Sequence, residues 1–111
     1  MEQTLHVHAD NVPAENADRG ITRQILGYLP NLMLVKVHFA KGAVGRKHSH
    51  VHEQVSYVVS GVFEVEIDGK KEILKAGDAF VIPAGLEHGA VCLEDGVLID
   101  TFSPMREDFL S

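Results

Sequence analysis

The sequence predicts an all-β fold, a jelly roll or small barrel, on three observations. Runs of β-branched and aromatic residues recur at short, regular intervals. Turn signals rich in glycine separate them, and no stretch of ten or more residues carries a helical period. The chain has 111 residues, enough for one domain (1–111) with one core and too few for two. Eight or so short antiparallel strands with polar turns close best as two curled sheets, which limits exposed edges and leaves an interior able to hold a ligand.

In chain order, residues 1–20 read as an N-terminal arm, because the stretch 10–20 is polar and alanine-rich and supports at most a short helical turn. Strands are expected at 21–28, 32–41, 53–60, 62–68, 71–75, 79–82, 88–93 and 97–102. Ser60-Gly61 and Asp68-Gly69 read as tight hairpins, since glycine enters left-handed conformations without a Cβ penalty. Glu94-Asp95-Gly96 is expected to join the last two strands in the same way. Residues 103–111, ending in REDFLS, read as a C-terminal tail with another helical turn. Met33 and Phe39 are assigned to the core, and Lys70-Lys71 to a solvated turn.

The totals narrow the function. One cysteine, Cys92, excludes an intramolecular disulfide, and the first residues, MEQTLHVHADNVP, lack the basic-then-apolar pattern of a secretory signal. A reducing, cytoplasmic setting is expected. No apolar run approaches the ~20 residues that span a bilayer, and a formal net charge of -6 argues against a broad nucleic-acid surface. An anionic ligand would need a local positive feature.

Chemistry concentrates in the histidines. His48, His50 and Gln54 in HSHVHEQ, with His88 further on, offer neutral imidazoles and an amide oxygen, a first shell for one divalent ion of the Zn, Fe, Mn, Ni or Cu group. On a continuous strand His48, His50, His52 and Gln54 would share one face, one residue more than needed, unless a bulge or turn after His50 swings His52 toward the pocket mouth. Taken alone, such a cluster is equally a solvated surface tract. Asp100 lies in the apolar run Val97-Leu98-Ile99-Asp100-Thr101-Phe102. Facing inward with Leu98 and Phe102 it would be costly to bury without a task, whereas the flipped strand would leave it in water. Arg106 is close enough in chain to fold over the same mouth and grip a carboxylate; a surface pair with Glu107 or Asp108 is the alternative. Arg23 and Tyr57 are further residues able to line a pocket, with no role assigned. His6 and His8 read as surface or subunit contacts, and His38 as a packing histidine.

The spacing extends these clusters into a resemblance. Gly42, five residues, His48-Ser49-His50, three residues, Gln54, six residues, Gly61 resembles the first motif of the cupin superfamily, with Gln54 where glutamate is usual. Gly77, five residues, Pro83-Ala84-Gly85, two residues, His88 resembles the second, with Cys92 where asparagine is usual. Together they span 42–92. The resemblance implies a double-stranded β-helix barrel with His48, His50, Gln54 and His88 as metal ligands. Gln54 leaves that shell neutral, so a bound ion keeps its full charge for Lewis-acid work.

A second resemblance, carried by Asp100-x-Phe102-x-Pro104-x-Arg106 and REDFL, is to small cupins of the KdgF type from pectin and alginate breakdown. It implies ring opening and tautomerisation of a 4,5-unsaturated monouronate, an anionic sugar, to a linear 4-deoxy keto uronate. Asp100 and Arg106 would be catalytic, and Phe102 and Arg106 would hold the substrate. The alternatives are a metal-dependent dioxygenase of the quercetinase-like cupin type and a sugar-binding or sensor cupin without turnover. Pairing of edge strands makes a homodimer the expected assembly.

Overall fold

The computed structural model describes residues 4–110. Among them are eight strands: β1 Glu15–Asp18, β2 Ile21–Leu29, β3 Leu32–Phe39, β4 Val44–His48, β5 Glu53–Ile67, β6 Lys70–Lys75, β7 Ala79–Ile82 and β8 His88–Ser103. Single turns of 3-10 helix occur at Ala9–Asn11 and Glu107–Phe109. All pairings are antiparallel, and no helix among the described residues is long and apolar enough to cross a membrane.

Four expectations need correction. Ser60-Gly61 and Glu94-Asp95-Gly96 are not hairpins. β5 and β8 run straight through them and pair with each other from Glu53↔Ser103 to Ile67↔His88, with register shifts between Val58 and Phe63. A long strand pair bends there instead of turning back, as bulges and close backbone approach allow. A Cβ on Gly61 would lie 2.5 Å from the Asp95 carbonyl oxygen, and one on Gly96 would collide with the Ser60 carbonyl oxygen. The glycines therefore serve a crossing of two backbones. Third, residues 15–18 of the expected arm form β1, which joins β2 at the sheet edge. Fourth, Val44–His48 forms β4, a strand not anticipated, and the chain leaves it after His48. Asp68-Gly69, with φ of 51° and 80°, is the tight hairpin expected, its two left-handed residues matching the strand twist.

The bends divide β5 and β8 between two sheets. The first halves and last halves pack as β1-β2-β3-β8-β5-β7 on one side and β4-β8-β5-β6 on the other. Alternation then points Met33, Val35, Val58, Phe63 and Ile82 into a fully buried core. Phe39 and Phe63 meet edge to face at 5.2 Å. Cys92 is buried there, its thiol donating to the Glu94 carbonyl at 2.9 Å, and burial pushes its pKa up. Part of the outer face of the larger sheet is apolar. Leu34, Val55 and Val81 stand in one row and Tyr57 in the next, all exposed. Tyr57 thus faces away from the interior. His38, expected to pack, also points outward.

Candidate active site

Four segments bring their side chains to one end of the barrel. His48 ends β4, His50 stands in the bend after it, Gln54 is the second residue of β5, and His88 opens β8 directly opposite His48. Gly85, at φ 85°, turns the chain before His88, and its N–H donates to the His50 carbonyl at 2.9 Å, tying the two histidine segments together. The ring centroids of His48 and His50 lie 4.5 and 4.8 Å from that of His88.

Each ring is oriented by a backbone carbonyl two residues away. Nδ1 of His48, His50 and His88 stands 2.8, 2.9 and 2.9 Å from the carbonyl oxygens of Arg46, His52 and Leu86. A carbonyl only accepts, so Nδ1 carries the proton and the neutral ring keeps its lone pair at Nε2, the tautomer a metal ligand requires. Burial holds the pKa of His88 below the usual imidazole range, which favours that neutral form. Gln54 Oε1 lies 3.0 Å from His50 Nε2, two acceptors facing each other across a gap that a cation would bridge. His48, His50 and His88 place their ligand atoms within 4.8 Å of one another. Three imidazoles and an amide oxygen fit a divalent transition ion. His52 does not join them. The bend after β4 breaks the parity that placed it on the same face, and its ring packs 6.4 Å from Phe102. Its Nδ1 is buried without a hydrogen-bond partner, and desolvation, with Arg106 nearby, lowers its pKa.

Beside this cluster is a cavity of about 340 Å³, at the small end of the ~300–1,000 Å³ range for small-molecule sites. His48, Gln54, His88, Asp100, Phe102 and Arg106 all line it. Strand β8 faces inward as Leu98, Asp100 and Phe102, with Leu98 and Phe102 almost fully buried. Asp100 is partly accessible because it borders the cavity; protein surrounds its carboxyl on the other sides. Burial pushes its pKa up to about 6, against the opposing pull of the Ser56 hydroxyl and Arg106. Ser56 Oγ donates to Asp100 Oδ1 at 2.5 Å and accepts from Gln54 Nε2 at 3.0 Å.

The tail borders the cavity through Arg106 and Phe109. Met105 N–H donates to the Pro30 carbonyl at 3.2 Å, and Phe109 packs edge to face on Phe102 at 5.7 Å. Arg106 makes the pair with Asp108, through Nε and Nη2 at 3.0 and 2.8 Å, and its side chain, 12% exposed, also lines the cavity. Its guanidinium lies 4.2 Å from the Phe109 ring centroid, and that of Arg23 lies 3.8 Å from the same ring. Arg23 is held by Glu15 at 2.6 Å.

The chain matches the cupin domain family over residues 35–101, more than half of its length. The chain belongs to the cupin family. This cupin is 53% identical over 103 residues to the pectin degradation protein KdgF of Dickeya dadantii strain 3937, covering 91% of the chain and 94% of the relative. Among solved structures it is similar to KdgF from Halomonas sp., with 45% identity, a TM-score of 0.92 and coverage of 96% and 99% of the two chains. An RmlC-like cupin from Shewanella frigidimarina NCIMB 400 matches with 50% identity, a TM-score of 0.93 and coverage of 98% and 99%.

Arg23, given in the sequence only as able to line a pocket, does line the cavity, while Phe109 on the cavity and Ser56 behind Asp100 went unassigned; parity marks Arg23 and Ser56. Arg23 shares the inward face of β2 with Ile21 and Ile25, and Ser56 lies between Gln54 and Val58 on that of β5. Phe109 had no such signal, because the tail has no repeating pattern to orient it.

Proposed function

We propose that this cupin opens and tautomerises a 4,5-unsaturated monouronate from pectin or alginate breakdown, giving a linear 4-deoxy keto uronate, in the reducing cytoplasm. The observation that carries the reading is Asp100, a carboxyl with a pKa near 6 on the wall of a cavity shared with the histidine cluster and Arg106. A general acid–base group works best with a pKa near the operating pH. The 53% identity to a pectin degradation protein supports the same reading.

A divalent ion held by His48, His50, Gln54 and His88 would supply Lewis-acid polarisation of substrate oxygens. The remaining work falls to the protein's own groups. Arg106 pairs with the substrate carboxylate, and Phe102 and Phe109 give apolar walls against the ring. Asp100 accepts the proton of the hemiacetal hydroxyl as the bond between the anomeric carbon and the ring oxygen breaks. That step leaves an aldehyde at one end and an enolate at the other. Asp100 then delivers the same proton to the enolate carbon adjoining the new ketone, which becomes a methylene, so atoms balance with no other reactant.

The test follows unsaturated monouronate by ultraviolet absorbance and NMR with metal-loaded protein, and with His48→Ala and His50→Ala controls. Accelerated loss of the enol-ether signal and appearance of the linear keto product with the intact site alone is the expected result. A rate equal to the spontaneous one refutes the reading.

A further inference from the structure

We propose that Ser56 is a positioning residue that couples Gln54 to Asp100, and that this coupling explains why an amide, not a carboxylate, stands at position 54. The inference rests on the site reading given above and adds to it the group that sets the geometry.

Gln54 Nε2 donates to Ser56 Oγ at 3.0 Å, and Ser56 Oγ donates to Asp100 Oδ1 at 2.5 Å. Gln54 and Ser56 are 7% and 1% exposed, so neither bond has water as a ready substitute. The chain has one direction. A hydroxyl owns a single proton; once an amide N–H occupies its oxygen, that proton is committed to the carboxylate. The same donation fixes the amide, with Oε1 toward His50 Nε2 at 3.0 Å and Nε2 away from it. Turning the amide round would aim N–H at the ligand cluster and draw the Ser56 proton to Oε1, away from Asp100. Glutamate at 54 would offer acceptors alone, so two carboxylates would compete for one proton. Oδ1 of Asp100 is thereby held, and Oδ2, with no protein donor among the described residues, opens on the cavity that Asp100 lines. Ser56 stands opposite Asp100 in the β5–β8 ladder, which makes the contact a consequence of strand register.

Two measurements test this. In metal-free protein at pH 8, Ser56→Ala is expected to move both the Gln54 side-chain amide resonances and the Asp100 carboxyl carbon resonance. In nickel-loaded protein turning over unsaturated monouronate, the same variant is expected to keep its metal and its KM while kcat falls ~10–100-fold, the usual cost of losing a partner behind a metal site. Ser56→Thr, which keeps the hydroxyl, recovers most of that loss. Gln54→Glu keeps the metal and loses kcat like Ser56→Ala. Unchanged Asp100 and Gln54 resonances in Ser56→Ala overturn the coupling, as does a Gln54→Glu enzyme as active as the native one. If native protein leaves the uronate at its spontaneous rate while the two resonances still move together, the reaction reading fails and the coupling stands.

Discussion

Asp100→Asn gives the sharpest check, because the substitution removes a charge and keeps the shape. The carboxyl has an ordinary pKa of 3.8 and reaches about 6 in the fold, chiefly through burial. Between those values the folded protein holds a proton that the unfolded chain has released, so stability falls as pH rises through the window. The gap corresponds to about 3 kcal/mol at ~1.36 kcal/mol per pH unit, a cost present in full above pH 7 and absent below pH 4. Asparagine cannot ionise. Metal-free Asp100→Asn is therefore expected to gain about 3 kcal/mol over native protein at pH 8, roughly 12 °C in Tm for a domain of this size, with the advantage vanishing toward pH 4. Urea unfolding in the presence of a chelator, at pH 4.5, 6 and 8, reads the difference directly. Removing the metal matters, since a nearby cation would favour the ionised carboxyl. A difference that does not change with pH would refute the argument that desolvation of Asp100 is the cause. The gain in stability should come with a loss of turnover, as expected where a strained charge serves function.

The other outcomes concern metal, substrate, backbone and assembly. A divalent ion at 100 times its Kd should stabilise the native protein by about 2.7 kcal/mol in thermal unfolding, and His88→Ala should abolish that shift. Arg23→Gln should raise KM for the uronate with little change in kcat, because Arg23 borders the cavity and steadies Phe109 without touching Asp100 in the hydrogen-bond chain; steady-state kinetics separates the two. Gly96→Ala should lower stability by ~3 kcal/mol in denaturant titration, since its Cβ would meet the Ser60 carbonyl where neither backbone can yield. The sequence led to a homodimer through edge strands; we propose instead that the exposed row of Leu34, Val55 and Val81 with Tyr57, on the face of the sheet, is the surface that pairs. Light scattering should give a dimer for the native chain and a monomer for Tyr57→Asp.

The sequence by itself determined the fold class and the candidate ligand set. Period-two burial shows in strand residues whatever their partners, and the glycine and histidine spacing of the cupin motifs is a local pattern. It also carried the inward face of Leu98, Asp100 and Phe102, because apolar neighbours two residues away decide a strand's orientation. Tertiary structure decided what depends on partners distant in the chain. Ser60-Gly61 and Glu94-Asp95-Gly96 have the composition of hairpins, and only the crossing of β5 over β8 turns them into bends. Parity placed His52 on the ligand face with His50, yet the break between β4 and β5 leaves it outside the cluster of His48, His50 and His88, although its ring still lies 5.5 Å from that of His50. The link from Gln54 through Ser56 to Asp100 spans 44 residues between serine and aspartate, a contact set by the register of two strands that no local pattern records. Ionisation of Asp100 belongs to the same level, because a pKa near 6 comes from the protein packed around the carboxyl and the polar groups that reach it.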